Sequence, residues 1–101
     1  MKYRITSSES ETTLYFEGTL TFVDAEIFAT ALAELEGGGK RQWGIDLRGL
    51  DFIDSFGLGL LVVTFDRAEK RRVKLVLRGA KGVVRDRLDY TRFDTILTLE
   101  D

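Results

Sequence analysis

The chain of 101 residues contains no cysteine, no histidine and no proline. Without cysteine it can form neither disulfides nor a reactive thiolate, and without histidine it lacks the usual general base of serine and cysteine hydrolases. Metal ligands are restricted to carboxylates and carbonyl oxygens, which do not make a typical zinc site. These absences exclude conventional hydrolases and zinc proteins. We expect neither enzymatic activity nor a cofactor.

A long apolar run is also missing. The first ten residues carry charges and hydroxyls where a secretory signal would need an apolar core, and no segment has the length of a membrane span. We therefore expect a soluble cytoplasmic protein without membrane insertion. Hydrophobic residues nevertheless make up 44% of the chain. Residues 1–101 are therefore predicted to form one domain around one core.

The net charge is only −2, but the two halves of the chain differ in sign. A basic second half can indicate nucleic-acid binding. Here the cations alternate with carboxylates at helical spacings, which is typical of a solvated helix face. We therefore expect no nucleic-acid partner. The interleaved residues are Asp66, Arg67, Glu69, Lys70, Arg85, Asp86, Arg87 and Asp89.

Apolar periodicity predicts alternating strands and helices. The first elements are a hairpin around Tyr3–Ile5 and Leu14–Phe16, and a helix that Thr21 or Asp24 caps and Gly37 ends. That helix is expected to bury Val23, Ile27, Phe28, Ala31, Leu32 and Leu35. The later elements are a short strand Trp43–Leu47 with Trp43 in the core, a loop 48–54, a helix Ser55–Arg71, a strand Val73–Leu77, a helix containing Val83, Val84, Leu88 and Phe93, and a strand Ile96–Leu99.

Strands that alternate with helices imply parallel crossover units. The predicted fold is therefore α/β, with a mixed, mainly parallel sheet of four to five strands and three to four helices packed on it. Sites in such folds lie at the carboxyl ends of the strands, near helix N-termini. The segment 51–59 has this position, and we expect the functional site there.

The start of the helix at Ser55 has two unusual features. Asp54 or Ser55 can cap it, but Gly57 and Gly59 follow within its first turns, and each costs about 1 kcal/mol relative to alanine in a helix interior. The glycines indicate either tight packing of the helix on a strand or close approach of a partner.

The same helix also has two apolar stripes. Leu58, Leu61, Val62, Phe65 and Ala68 are predicted to face the sheet, and Phe56, Leu60 and Val63 form the second stripe. Either a neighbouring helix covers this second stripe or it is a docking surface.

The segment 45–59, Ile-Asp-Leu-Arg-Gly-Leu-Asp-Phe-Ile-Asp-Ser-Phe-Gly-Leu-Gly, resembles the signature of STAS domains, specifically those of anti-sigma-factor antagonists. The resemblance extends over most of the chain. In this family the serine that follows the aspartate is phosphorylated, and Ser55 is the matching residue. Phe56 stands where family members often have a second small residue, and we expect it to influence the choice of partner.

The resemblance implies a switch between partners and no chemistry by the domain itself. The unphosphorylated protein would bind an anti-sigma factor with a histidine-kinase-like serine kinase fold and so release a sigma factor. That kinase would phosphorylate Ser55 and block binding, and a metal-dependent serine phosphatase would reverse it. The expected partner-binding residues are Asp54, Phe56, Gly57, Leu58, Leu60, Val63 and Asp24.

Two alternatives remain open. The chain could resemble those stand-alone STAS proteins that are structural subunits and dock on the ATPase of a lipid-transport complex. A receiver-like phosphoacceptor could instead hold Mg²⁺ with Asp46, Asp51 and Asp54, and Lys81 could serve as the lysine that follows a late strand in such domains.

Overall fold

The computed structural model describes residues 1–92 and 97–100. It contains five strands and three helices: the first two strands form a hairpin, and helices then alternate with the other three strands. The strands are β1 (Lys2–Ser7), β2 (Glu11–Leu20), β3 (Gln42–Ile53), β4 (Lys74–Arg78) and β5 (Thr98–Glu100). The helices are α1 (Ala25–Gly37), α2 (Ser55–Arg71) and α3 (Gly82–Tyr90), and a single 3₁₀ turn, Phe22–Asp24, precedes α1.

The strands lie in the sheet in the same order as in the chain. β1 and β2 pair antiparallel, whereas β2, β3, β4 and β5 are parallel neighbours. Each parallel strand is added on the same side of its predecessor, and right-handed crossovers then place the connecting helices on one face of the sheet. The predicted α/β fold with a mixed, mainly parallel sheet is confirmed.

One core joins the helices to this face. The side chains of all three helices and of the inward positions of the strands belong to the same buried cluster. Trp43 is 1% exposed, so its predicted place in the core is confirmed. The largest fully buried side chains besides Trp43 are Phe16, Phe28, Leu14, Leu20, Leu35, Ile45, Leu47, Leu50, Ile53, Leu61 and Leu77.

Strand β3 is longer than predicted. The segment after Leu47, predicted as a loop, continues as a strand to Ile53 and pairs with the end of β2. Two register shifts in this pairing, between Tyr15 and Glu17 and between Gly18 and Thr19, interrupt the alternation of side chains between faces. The extension therefore lacks the alternation of apolar and polar residues that indicates a strand. Its charged residues favoured the prediction of a loop instead.

Helix α1 also differs from its prediction at its start. Phe28, Ala31, Leu32 and Leu35 are buried as predicted, but Val23 lies in the 3₁₀ turn and is 71% exposed, and Ile27 is exposed as well. In α3, Val84 and Leu88 are buried and Val83 is exposed. The predictions for Phe93 and Ile96 lie outside the described residues, and the last strand is Thr98–Glu100. None of the helices in the described ranges has the length and apolar character needed to cross a membrane.

The helix-free face of the sheet carries a partly buried ion pair between Glu11 and Arg78. The Arg78 guanidinium donates to both carboxylate oxygens of Glu11 at 2.7 and 2.9 Å, and the Gln42 amide donates to Glu11 at 2.7 Å. These contacts join β2, β3 and β4 on that face. The hydrogen bonds from Arg78, followed by those from Gln42 and Thr13, outweigh the effect of burial and lower the pKa of Glu11 to about 2.

We predict that Glu11→Gln lowers the free energy of unfolding at pH 7 by about 1–3 kcal/mol, because it removes the charge from a hydrogen-bonded ion pair. Glu11 binds a proton more readily in the unfolded chain, so its contribution is complete above the unfolded pKa, ~4.3. It is lost as the pH falls from there towards about 2. Urea denaturation between pH 7 and pH 2.5 measures both effects.

The matched control is Glu9→Gln, which neutralises an exposed carboxylate in the β1–β2 turn. Glu9→Gln should follow the wild-type acid profile. Equal pH profiles for wild type and Glu11→Gln would contradict the assigned role of Glu11.

Candidate functional site

The carboxyl ends of β2 and β3 meet beside the start of α2. The Asp54 N–H donates to the Leu20 carbonyl at 3.3 Å, which joins the two chain segments directly after their strands end. The 3₁₀ turn Phe22–Asp24 and the first turn of α2 therefore lie at the same end of the sheet. This is the place where the sequence predicts the site.

Asp54 is the N-cap of α2. Its backbone is extended, and its carboxylate accepts a hydrogen bond from the Gly57 N–H at 2.7 Å. Ser55 is the first helical residue and is exposed, and its hydroxyl forms no hydrogen bond with any described residue. Of the two predicted cap candidates, Asp54 does the capping. The Ser55 hydroxyl is thus free and accessible at a helix N-terminus.

The two glycines of this helix have different environments. A Cβ on Gly57 would clash with the Leu20 carbonyl oxygen and would lie 2.7 Å from Cγ1 of Ile53, so Gly57 lets α2 pack directly on the strand ends. A Cβ on Gly59 would meet no heavy atom within 4 Å, and this residue is exposed. Tight packing therefore accounts for Gly57 but not for Gly59.

The second stripe of α2 is partly open to solvent. Phe56 is 49% exposed, Val63 is also exposed, and Leu60 is half-buried against the core. Leu58, predicted as a partner-binding residue, is instead buried in the core, because its position in α2 faces the sheet. Its side chain does not belong to the exposed surface.

Two further apolar side chains at this end were not among the predicted site residues. Phe22 is 67% exposed, and its neighbour Val23 is exposed as well. The signal was present in the sequence: two consecutive bulky residues fill a connection too short for both to turn inward. We call Phe22, Val23, Phe56 and Val63 the apolar surface.

Asp24, one of the predicted partner-binding residues, lies inside the fold. It is 5% exposed, and its carboxylate accepts from the Met1 ammonium at 2.7 Å and from the Thr21 N–H at 2.8 Å. Burial alone would raise the pKa of Asp24, but these two hydrogen bonds outweigh it and lower the pKa. Asp24 therefore holds the 3₁₀ turn against β1, and it supports the exposed Phe22 and Val23 rather than a partner directly.

The carboxylates of the receiver-like alternative are not brought together. Asp46 lies on the helix-free face, where it pairs with Arg48, while Asp51 is exposed and Asp54 caps α2. Across residues 1–92 and 97–100, no group of three acidic side chains has the arrangement of a metal site. Lys81 is an exposed residue before α3. This arrangement does not support a magnesium-dependent phosphoacceptor.

The sequence profile of the STAS domain family matches residues 2–101. The chain belongs to the STAS domain family. Comparison with curated proteins finds no significant sequence match.

Solved structures share the STAS fold over nearly the whole chain. An anti-sigma-factor antagonist (STAS) domain protein from Planctomyces limnophilus is 24% identical, with a TM-score of 0.85, and the match covers 98% of this chain and 89% of that one. An anti-sigma factor antagonist from Mycobacterium paratuberculosis is 18% identical, with a TM-score of 0.87 and coverages of 98% and 84%. The Bacillus cell fate determinant SpoIIAA in its phosphorylated form is 14% identical, with a TM-score of 0.73 and coverages of 97% and 90%.

The different environments of the two glycines give a stability prediction for this STAS domain. Gly57→Ala should lower the free energy of unfolding by about 1–3 kcal/mol, since the new methyl group has no space. Gly59→Ala should raise it by about 0.5–1 kcal/mol, since alanine favours a helix and the position is open. Urea denaturation followed by the fluorescence of the buried Trp43 measures both. Equal tolerance of the two substitutions would contradict the packing of α2 on Leu20.

Proposed function

We propose that this STAS domain is an anti-sigma-factor antagonist that switches partners through phosphorylation of Ser55. In the unphosphorylated state it binds an anti-sigma factor with a histidine-kinase-like serine kinase fold, in the cytoplasm, and thereby releases a sigma factor. Phosphorylation prevents that binding, and a metal-dependent serine phosphatase restores it. The domain itself acts as a binding protein and not as an enzyme.

The observation that carries this proposal is the division of roles between Asp54 and Ser55. Because the Asp54 carboxylate caps the helix, the Ser55 hydroxyl is not needed for capping. It is exposed and therefore accessible to a kinase. The kinase would transfer the γ-phosphoryl group of ATP to the Ser55 oxygen, with ADP as leaving group and the hydroxyl proton passing to a base of the kinase. Water would attack the phosphoserine in the reverse reaction and release inorganic phosphate.

The fold is suited to accept the phosphate without rearrangement. Phosphoserine carries roughly −1.5 to −2 charges, and the N-terminal end of a helix favours an anion. The first N–H groups of a helix have no intrahelical acceptor. The Asp54 carboxylate accepts a hydrogen bond from only one of them, the Gly57 N–H. The phosphate would therefore add charge to the surface while leaving the core contacts of α2 intact.

The apolar surface explains how that charge could block a partner. A protein that packs on Phe56 and Phe22 must remove water from the neighbouring Ser55. Burying an unpaired phosphate costs several kcal/mol, and Asp54 and Asp51 already place negative charge nearby. The phosphorylated surface would be unfavourable for an apolar partner and more so for an acidic one. Gly59 leaves the adjoining part of α2 flat, which favours close approach.

The proposal predicts different partner capture by three baits: wild type, Ser55→Ala and Ser55→Asp. Unphosphorylated wild type and Ser55→Ala should capture the same histidine-kinase-like protein equally. Ser55→Asp should capture it about tenfold less or worse, because a buried unpaired charge costs more than about 1.4 kcal/mol. With the captured kinase and ATP, intact mass should show one added phosphate on wild type and none on Ser55→Ala.

Urea denaturation of the same proteins provides the control for folding. Ser55→Ala should unfold within about 0.5 kcal/mol of wild type, since Asp54 and not Ser55 caps the helix. Equal capture of one partner by all three baits would contradict the switch. Capture of a lipid-transport ATPase subunit, independent of residue 55, would favour the alternative role as a docking subunit.

A further inference from the structure

The end of the molecule opposite Ser55 contains a cationic cleft. It lies where α1 and α2 end and β3 and β4 begin, and it has a volume of about 540 Å³. One acidic and four basic side chains line it, together with the buried Trp43. The charged residues are Glu36, Lys40, Arg41, Arg71 and Arg72.

Backbone hydrogen bonds fix two residues of the cleft, Arg41 and Arg72, which lie in two different connections. Arg41 precedes β3, and its carbonyl accepts a hydrogen bond from the Lys74 N–H at 3.0 Å, which ties the start of β3 to the start of β4. Arg72 ends α2 in a left-handed conformation with φ 57°, and its N–H donates to the carbonyls of Ala68 and Glu69. The two arginines therefore line the same cleft from adjoining, hydrogen-bonded loops.

The charges of the cleft are not balanced. Of the described residues, Glu36 is the one carboxylate that lines the cleft, and it already pairs with Arg67 at 3.0 Å and with Arg71 at 2.9 Å. Among the described residues, no carboxylate lies within ion-pair distance of Lys40, Arg41 or Arg72. The negative end of the α2 dipole favours Arg71 and Arg72, but it does not account for two further cations on the loop before β3.

We propose that this cleft binds a compact, soluble oligophosphate anion through Lys40, Arg41 and Arg72. Three uncompensated cations around one concavity call for a ligand with several negative charges. The guanidinium fork of arginine matches phosphate oxygens in pairs. The volume is within the range of small-molecule sites, roughly 300–1,000 Å³. This inference does not rest on the proposed partner switch.

Two other anionic partners fit the surface less well. A bilayer presents a plane, whereas these cations line a concavity. Nucleic acid requires a basic stripe that continues along the surface, but the exposed Asp66 and Glu69 of α2 interrupt the cations beside the cleft.

The test is calorimetric titration of tripolyphosphate into the wild-type protein at constant ionic strength. We expect binding at one site, and a loss of affinity of about tenfold or more in Arg41→Gln/Arg72→Asn. Asparagine tolerates the left-handed conformation of residue 72. A second pair, Lys40→Gln/Arg41→Gln, leaves Arg72 and α2 unchanged and should lose affinity similarly.

The matched control is Lys2→Gln/Lys81→Gln, which also removes two positive charges. Lys2 lies beside the carboxyl end of β2 and Lys81 follows β4, so both are at the end of the sheet away from the cleft. Its affinity should equal that of wild type. The proposal would be overturned by no detectable binding of tripolyphosphate, by equal losses in the control and cleft variants, or by binding only to phosphatidylglycerol vesicles or to an oligonucleotide.

Discussion

The contact between Gly57 and the Leu20 carbonyl determines where the rest of the site lies. Because residue 57 has no side chain, α2 begins directly against the end of β2, and the Asp54 N–H can reach the same carbonyl. The Asp54 carboxylate then closes the helix start on the Gly57 N–H. These contacts fix the start of α2 without using the Ser55 side chain. The serine is therefore held at a defined point of the surface, and its hydroxyl remains free.

The order of the strands gives the molecule two distinct ends and two distinct faces. All three helices share one core on one face, while Glu11 and Arg78 join the strands on the other. The carboxyl ends of the strands carry Ser55 and the apolar surface. The opposite end carries the cationic cleft, to which both halves of the sequence contribute basic residues. A charge added at Ser55 acts on a surface that the cleft does not share.

The spacing of apolar residues predicted the order of the helices and strands and most of their buried positions. Helical periodicity predicted the buried residues Phe28, Ala31, Leu32 and Leu35 of α1, but not the exposure of Val23 and Ile27. The alternation of strands and helices predicted that the start of α2 follows the carboxyl end of a sheet strand, as the structure shows. The extension of β3 was missed because its pairing with β2 contains register shifts, which sequence alternation cannot reveal. Asp24 was misplaced because its partner, the Met1 ammonium, is distant in sequence. The choice between Asp54 and Ser55 as cap also required the geometry, because both residue types are good caps.

The central claim is that a phosphate on Ser55 changes the surface locally and leaves the fold intact. Amide ¹H–¹⁵N spectra of the free protein, with serine or phosphoserine at position 55, test it most directly. We predict shift changes confined to the first turns of α2, residues 54–59, and to the adjoining segment 20–24, with the core strands unchanged. Extensive shift changes at buried core residues such as Ile45 and Leu77 would contradict the account, because they would mean that the phosphate acts by refolding the domain.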